Sequence, residues 1–342
     1  MAPDVPGYHS RTVSNALTGK VRSMISIRTT LAGSLLFAVF TVTAQTYPAK
    51  PIRLVVGWPT GGAADGGARP LALKLGEALG RPVVIENRPG ATGTIGATVV
   101  AKAPADGYTL LYGTSNELVM NPYDKMPYRP VEDFSPISTV TAFPSVLVVH
   151  PSIPVKTLQQ FVTFTRARAG KLNFATAGAG TTLLSGEMFK SLAKVDYAYI
   201  QYKGGGPAII DLIGGHVDAM FATLPSAVTF IRNSKLRALM VTDSKRSPAA
   251  PEIPSAKEAG FGQMVLVTWN GVLAPQETPV AILERLNTAI TAVMNIPEMR
   301  QQILHQAAEV TTSSREEFAG IIRRDLAKWT ALSQLATSKA RN

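Results

Sequence analysis

The residues best placed to do chemistry lie in two glycine-rich loops, each following an apolar strand and opening a helix. The first strand, Ile52-Arg-Leu-Val-Val-Gly-Trp58, runs into Pro59-Thr60-Gly61-Gly62-Ala63-Ala64-Asp65-Gly66-Gly67. The second, Leu172-Asn-Phe-Ala-Thr-Ala177, runs into Gly178-Ala179-Gly180-Thr181-Thr182. A helix N-terminus carries N–H groups without intrahelical partners and a partial positive charge. Glycine lets a ligand come close to that backbone. Two such loops on two similar halves predict noncovalent chemistry: a small anion held by amides and hydroxyls in a cleft.

Each candidate also has a plainer reading. Thr60, Gly61 and Gly62 could donate to a carboxylate, or could form a tight βα turn that needs glycine. The segment has neither a Walker A lysine nor a clean dinucleotide fingerprint, which argues against a nucleotide. Asp65 could cap the helix with Arg69 as its i,i+4 partner, orient the loop, or accept from a ligand ammonium or hydroxyl. Gly180, Thr181 and Thr182 offer two hydroxyls at a helix mouth, or an ordinary capping threonine. Thr114 and Ser115, followed by Asn116, are similar. Gly204-Gly205-Gly206 brings backbone close at another helix start, where Pro207 suits the first turn. Thr223 completes the set of candidate substrate-binding residues.

Catalysis has no comparable signal. His150, His216 and His305 lie in unrelated elements without metal-ligand spacing. There is no Gly-x-Ser-x-Gly elbow and no legible acid/base dyad. The chain has no cysteine, which excludes disulfides, thiolate metal sites and thiol nucleophiles. No catalytic residue, metal ligand or cofactor is expected.

The elements that must position these loops follow from length and pattern. The chain has 342 residues, 46% hydrophobic and 17% charged, enough for about two globular domains. Its formal net charge of +11 is scattered, which fits a solvated surface or steering of acidic small molecules rather than nucleic-acid binding. Arg28, the apolar run Leu31–Val42 and the small residues ending at Ala44 read as a signal peptide over 1–44. Met24 is the better start for such a signal, so 1–23 is expected to be an upstream extension. Cleavage after Ala44 would leave a protein exported to the periplasm.

Beyond Gln45 the chain alternates strand and helix. Strands are predicted at 52–58, 82–86 and 108–112, with helices at 67–79 and 94–103; a parallel sheet with right-handed crossovers follows. Ligands in such sheets bind beyond the carboxyl ends of the strands, where both Gly61-Gly62 and Thr114-Ser115 fall. A strand at 146–150, followed by Pro151 and Pro154, marks a crossing into a second set. That set has strands at 172–177, 195–202, 217–221 and 236–241 and helices at 183–193 and 207–213. The extended run 263–273 carries the chain back, and helices at 280–294 and 315–336 close it. The domain reading is 45–148 plus 270–342 as lobe 1 and 149–269 as lobe 2. Two crossings between α/β lobes make a hinge.

The ordered motifs resemble the Bug (TctC-like) family, exported solute-binding receptors of tripartite tricarboxylate transporters, over about residues 47 to 335. The matching residues include Tyr47-Pro-Ala-Lys-Pro-Ile-Arg53, Gly61-Gly62 with Asp65, Glu86-Asn87 and Pro104-Ala-Asp-Gly-Tyr108. They continue through Asn121-Pro122, Gly178-Ala-Gly-Thr181, Tyr202-Lys-Gly204, Gly214-Gly215 and Leu273-Ala-Pro275. The resemblance implies a two-lobed, type II-like periplasmic-binding-protein fold with two crossover strands. It implies a carboxylate gripped between the two loops by backbone N–H groups, hydroxyls and ordered waters, and delivery to membrane permease subunits by a monomer. A ligand-sensing receptor and an exported enzyme are the alternative functions. Thr60, the segment after Gly180 and the stretch between Asn121 and Tyr128 depart from the family pattern, and all bear on ligand identity.

Overall fold

The computed structural model describes residues 47–119, 126–178 and 180–339, with side chains described as far as Thr330. The expected signal segment 1–44, its extension 1–23, Asn121-Pro122 and Ala179 lie outside the described residues. From Tyr47 onward the chain forms one compact unit.

The first half opens with β1 (Ile52–Val56), α1 (Ala63–Leu79), β2 (Val83–Asn87), a 3-10 turn (Ala91–Gly93), α2 (Thr94–Ala101), β3 (Thr109–Thr114) and the short α3 (Ser115–Val119). Parallel β1 pairs with β2 on one side and β3 on the other, as the strand–helix alternation predicts. The α1 stripe Ala68, Leu71, Ala72, Leu75 and Leu79 is buried. Full burial of Leu71 and Leu75 stabilises by about 2 kcal/mol each. The helix starts four residues before the expected Gly67, because the turn that the paired glycines allow ends at Gly62.

One strand then serves both halves. β4 (Phe134–Val149) is 16 residues long. Its first part pairs antiparallel with β9 (Val267–Pro275), up to Pro144 against Val267. From Ser145 it pairs with β7 (Ala219–Thr223) on one edge, and from Val146 with β8 (Arg237–Val241) on the other. The second half is completed by α4 (Leu158–Arg166), β5 (Asn173–Thr176), α5 (Thr181–Ala193), β6 (Ala198–Gln201), α6 (Gly205–Ile213) and α7 (Leu224–Arg232). β5 runs parallel to both β6 and β7. α8 (Val280–Met294), α9 (Pro297–His305), β10 (Glu309–Val310) and α10 (Arg315–Lys339) end the chain. The strand order is β2-β1-β3-β9-β4-β7-β5-β6, with β8 and β10 also on β4. This is a mixed α/β sheet of the periplasmic-binding-protein type, with β4 and β9 as the crossover strands.

Thr242, fully buried just past β8, binds both crossover segments. Its hydroxyl accepts the Ser145 amide at 2.9 Å and lies 2.7 Å from the Leu266 carbonyl oxygen, to which it donates. The Thr242 amide donates to Ser145 O at 2.8 Å, and the Leu266 amide to Thr242 O at 2.9 Å. Packing also joins the halves: Leu184 of α5 shares an apolar cluster with Val55, Leu111, Leu118, Trp269 and Phe318.

Candidate functional site

The first glycine loop leaves β1 at Gly57 and Trp58 and turns through Gly61, whose φ of 81° favours glycine. Thr60, Gly61 and Gly62 are exposed. Gly62 is the N-cap of α1 and has no side chain to cap it. The loop is instead held from below by Asp65. Its carboxylate accepts the Gly61 amide at 2.9 Å, Arg69 Nε and Nη2 at 2.7 and 2.9 Å, and Asn87 Nδ2 at 3.0 Å. Asn87 Nδ2 also donates to the Trp58 carbonyl at 3.0 Å, and Thr60 Oγ1 donates to Asn87 Oδ1 at 3.2 Å. Burial alone would raise the Asp65 pKa. The bonds from Arg69, Gly61 and Asn87 together outweigh it and hold the carboxyl below the usual range. Asp65 therefore anchors the loop and holds Arg69 against it through two of the guanidinium's five N–H donors.

The second wall is the end of β3. Thr114 and Ser115 are buried, and the Ser115 hydroxyl has no hydrogen-bond partner. Beside them Glu117 is fully buried. Its carboxyl accepts from the Thr114 amide at 2.6 Å, from the Thr114 hydroxyl, and from Trp58 Nε1 at 3.2 Å. Burial pushes the Glu117 pKa up to about 7, against the lowering effect of those donors. Glycine at 93 makes room for it: a Cβ there would lie 2.9 Å from Glu117 Oε2.

Across the seam, α5 opens at Gly180 without a capping side chain of its own. Asn116 of α3 supplies the cap from the first half. Its Oδ1 accepts the Thr181 amide at 3.0 Å and the Thr181 hydroxyl at 2.8 Å. Thr181 Oγ1 also lies 3.0 Å from Thr268 Oγ1 on β9. Thr182 is half-buried one residue further into α5. The 3-10 turn reaches the same place, since a Cβ on Gly178 would lie 3.7 Å from Thr92 Oγ1.

The structure thus brings Asn116, next to Ser115, against Gly180 and Thr181. Trp58 and Glu117 connect that contact to the loop of Thr60, Gly61 and Gly62. Thr223 pairs with Ser145 in the β4–β7 ladder and donates its hydroxyl to Ser226 Oγ at 2.8 Å, and the space around a Gly205 Cβ is open. Sequence reasoning missed Glu117, Trp58, Thr92 and Thr268, and weighed Asn116 within Thr114-Ser115-Asn116 without carrying it into the site set. Only an acid in the first turn after β3, set beside a tryptophan just past β1, could have drawn attention to Glu117. Among the described residues no group of three metal-ligating side chains occurs, and no helix is long and apolar enough to cross a membrane.

Comparison with known proteins gives these contacts a context. The tripartite tricarboxylate transporter family receptor (TctC) profile matches residues 68–337. Protein BugT of Bordetella pertussis is 36% identical over 292 residues, covering 84% of this chain and 90% of that protein. An R. palustris protein solved with adipate is 32% identical with a TM-score of 0.81, over 85% of this chain and 98% of that one. MatC from Rhodopseudomonas palustris with bound malate is 31% identical with a TM-score of 0.77, over 84% of this chain and 99% of that one. A chain with these relatives, this sheet and this seam belongs to the TctC family of solute-binding receptors.

Proposed function

We propose that the chain captures a small carboxylate between its two halves and delivers it to the membrane subunits of a tripartite tricarboxylate-type transporter. The observation that carries this reading is the convergence of the Thr181 amide and hydroxyl on a single acceptor oxygen at the mouth of α5. A carboxylate oxygen is the natural acceptor for such a pair, strengthened by the charge and by the helix terminus. The exposed turn of Thr60, Gly61 and Gly62 forms the opposing jaw. Malate and adipate, held by the two structural relatives, differ in length but share the carboxylate. The lobes are read as 45–148 plus 270–342 and 149–269. The partner switch of β4 at Pro144–Ser145, close to that boundary, supports the reading.

The protein is read as a non-catalytic monomer exported by cleavage after Ala44. Closure follows because the ligand touches both halves only when they meet. Calorimetric titration of refolded protein with a panel of mono-, di- and tricarboxylates tests the reading. At least one acid should bind, and Thr181→Ala together with Thr182→Ala should weaken it by about tenfold or more. Folded protein that binds none of the panel would overturn it.

A further inference from the structure

We propose that Asn116 is a built-in substitute for the ligand's carboxylate oxygen: its Oδ1 fills the Thr181 donor pair until a carboxylate displaces it. The inference rests on the carboxylate reading above and adds the residue with which the ligand competes. A backbone N–H can only donate, so the Asn116 atom 3.0 Å from Thr181 N is the oxygen. The same oxygen takes the Thr181 hydroxyl, so one atom engages both donors, as one oxygen of a carboxylate would.

The chain is shaped around this contact. A Cβ at residue 180 would lie 2.9 Å from Asn116 Oδ1, so glycine there leaves the approach clear. The backbone of Gly180 is extended, so sterics rather than φ call for the small residue. The donors open a 13-residue helix whose positive end has no capping side chain of its own. A neutral amide satisfies these donors without charge, whereas a carboxylate makes charge-assisted bonds to the same atoms, roughly twice as strong. The incoming acid therefore outcompetes the amide. Asn116 is half-buried and its own amide is held by Thr114 Oγ1 at 3.2 Å, so the side chain can turn aside while α3 stays in place. In the ligand-free chain the Asn116–Thr181 bonds join the two halves, so the displaced side chain gives up one bridge as the ligand makes another.

The test compares the full chain with Asn116→Ala and Asn116→Asp, each refolded free of ligand and checked by thermal melting. The wild type's best acid from the carboxylate panel is titrated into all three. Loss of the competitor should tighten binding to Asn116→Ala by about threefold to tenfold. Asn116→Asp places a charged oxygen on the donors and should weaken binding by at least about tenfold. Small-angle scattering should show ligand-free Asn116→Ala more open than wild type. Unchanged or weaker binding by Asn116→Ala, with wild type still binding, would overturn the inference and leave the carboxylate reading standing. Failure of wild type and Asn116→Ala alike to bind any acid would overturn the carboxylate reading, and this inference with it.

Discussion

Asp65, buried beneath the first glycine loop, accepts the amide hydrogen of Gly61 at 2.9 Å. The bond pins a turn built on a flexible glycine pair, which the Gly62 amide closes by donating to the Pro59 carbonyl at 3.3 Å. Asp65→Ala removes this bond together with those from Arg69 and Asn87. The expected cost is about 1–3 kcal/mol in urea unfolding, with carboxylate affinity falling as the loop loosens. Because the folded-state pKa is depressed, the stabilisation is present above the ordinary aspartate value and is lost as pH falls through the lower folded-state value.

Glu117 predicts the opposite slope. Its folded-state pKa is about 7 against an ordinary 4.5, so its contribution is complete below pH 4.5 and is lost as pH rises to about 7. The integrated change is on the order of 3 kcal/mol. Tyr128 faces the same helix, donating its hydroxyl to the Glu117 carbonyl at 2.6 Å; α10, packed on that helix, carries Asp325, which accepts from Trp269. Neither group supplies a cation to hold the carboxylate. Unfolding of Glu117→Gln at about pH 5 and about pH 8 should therefore differ less than for wild type. An equal difference in both proteins would remove Glu117 as the source.

Gly57, Gly93 and Gly96 stack backbone on backbone where α2 begins. A Cβ on Gly96 would lie 2.7 Å from the Gly57 Cα, and one on Gly57 would lie 2.6 Å from the Gly93 carbonyl oxygen. Backbone cannot move aside as a side-chain tip can. Gly96→Ala should destabilise by about 1–3 kcal/mol and lower the melting temperature by several degrees. A neutral result by thermal melting would mean that the turn at Ala91–Gly93 yields more than its packing implies.

Thr242→Val keeps the shape of the buried side chain but removes the hydroxyl that serves Ser145 and Leu266. The Ser145 amide then has no acceptor in a buried site, at a cost of about 1–3 kcal/mol. Chemical denaturation measures this, and scattering should show a broader range of openings than in wild type.

The alternating first half was legible because each strand is a short apolar run closed by glycine or proline, and α1 shows a 3.6-residue stripe. The first part of β4 was not. Phe134-Ser-Pro-Ile-Ser-Thr-Val-Thr-Ala-Phe-Pro144 is rich in serine and threonine and carries two prolines, which argue against an interior strand. The structure accommodates them at irregularities: the register with β9 shifts next to Pro136, and Pro144 is the last residue paired to it. The helix at Leu158–Arg166 had a cap in Thr157 and a stripe of Leu158, Phe161, Val162 and Thr165, but Pro151 and Pro154 drew attention to the crossing instead. Of the candidate site, the glycines and Thr181 were readable as helix mouths. Asn116 was not, because its role is a bond to a residue 65 positions away, and nothing local distinguishes it from a turn asparagine. Glu117 reads as an ordinary helical acid until the fold seals it behind Trp58.

The proline at position 144 has a mechanical consequence. It stands at the joint where β4 exchanges β9 for β7, and it has no N–H to contribute to either ladder. A strand that twists there need not rupture a ladder bond at the joint itself. Thr242 meanwhile ties the two crossing segments together, so in the proposed closure they would turn as a single axle rather than as two independent cords. The resistance to that turning would be set by the side chains that meet across the seam, Asn116 and Leu184 among them. The stiffness of the proposed closure would then be adjustable by substitution at the rim without touching the bearing.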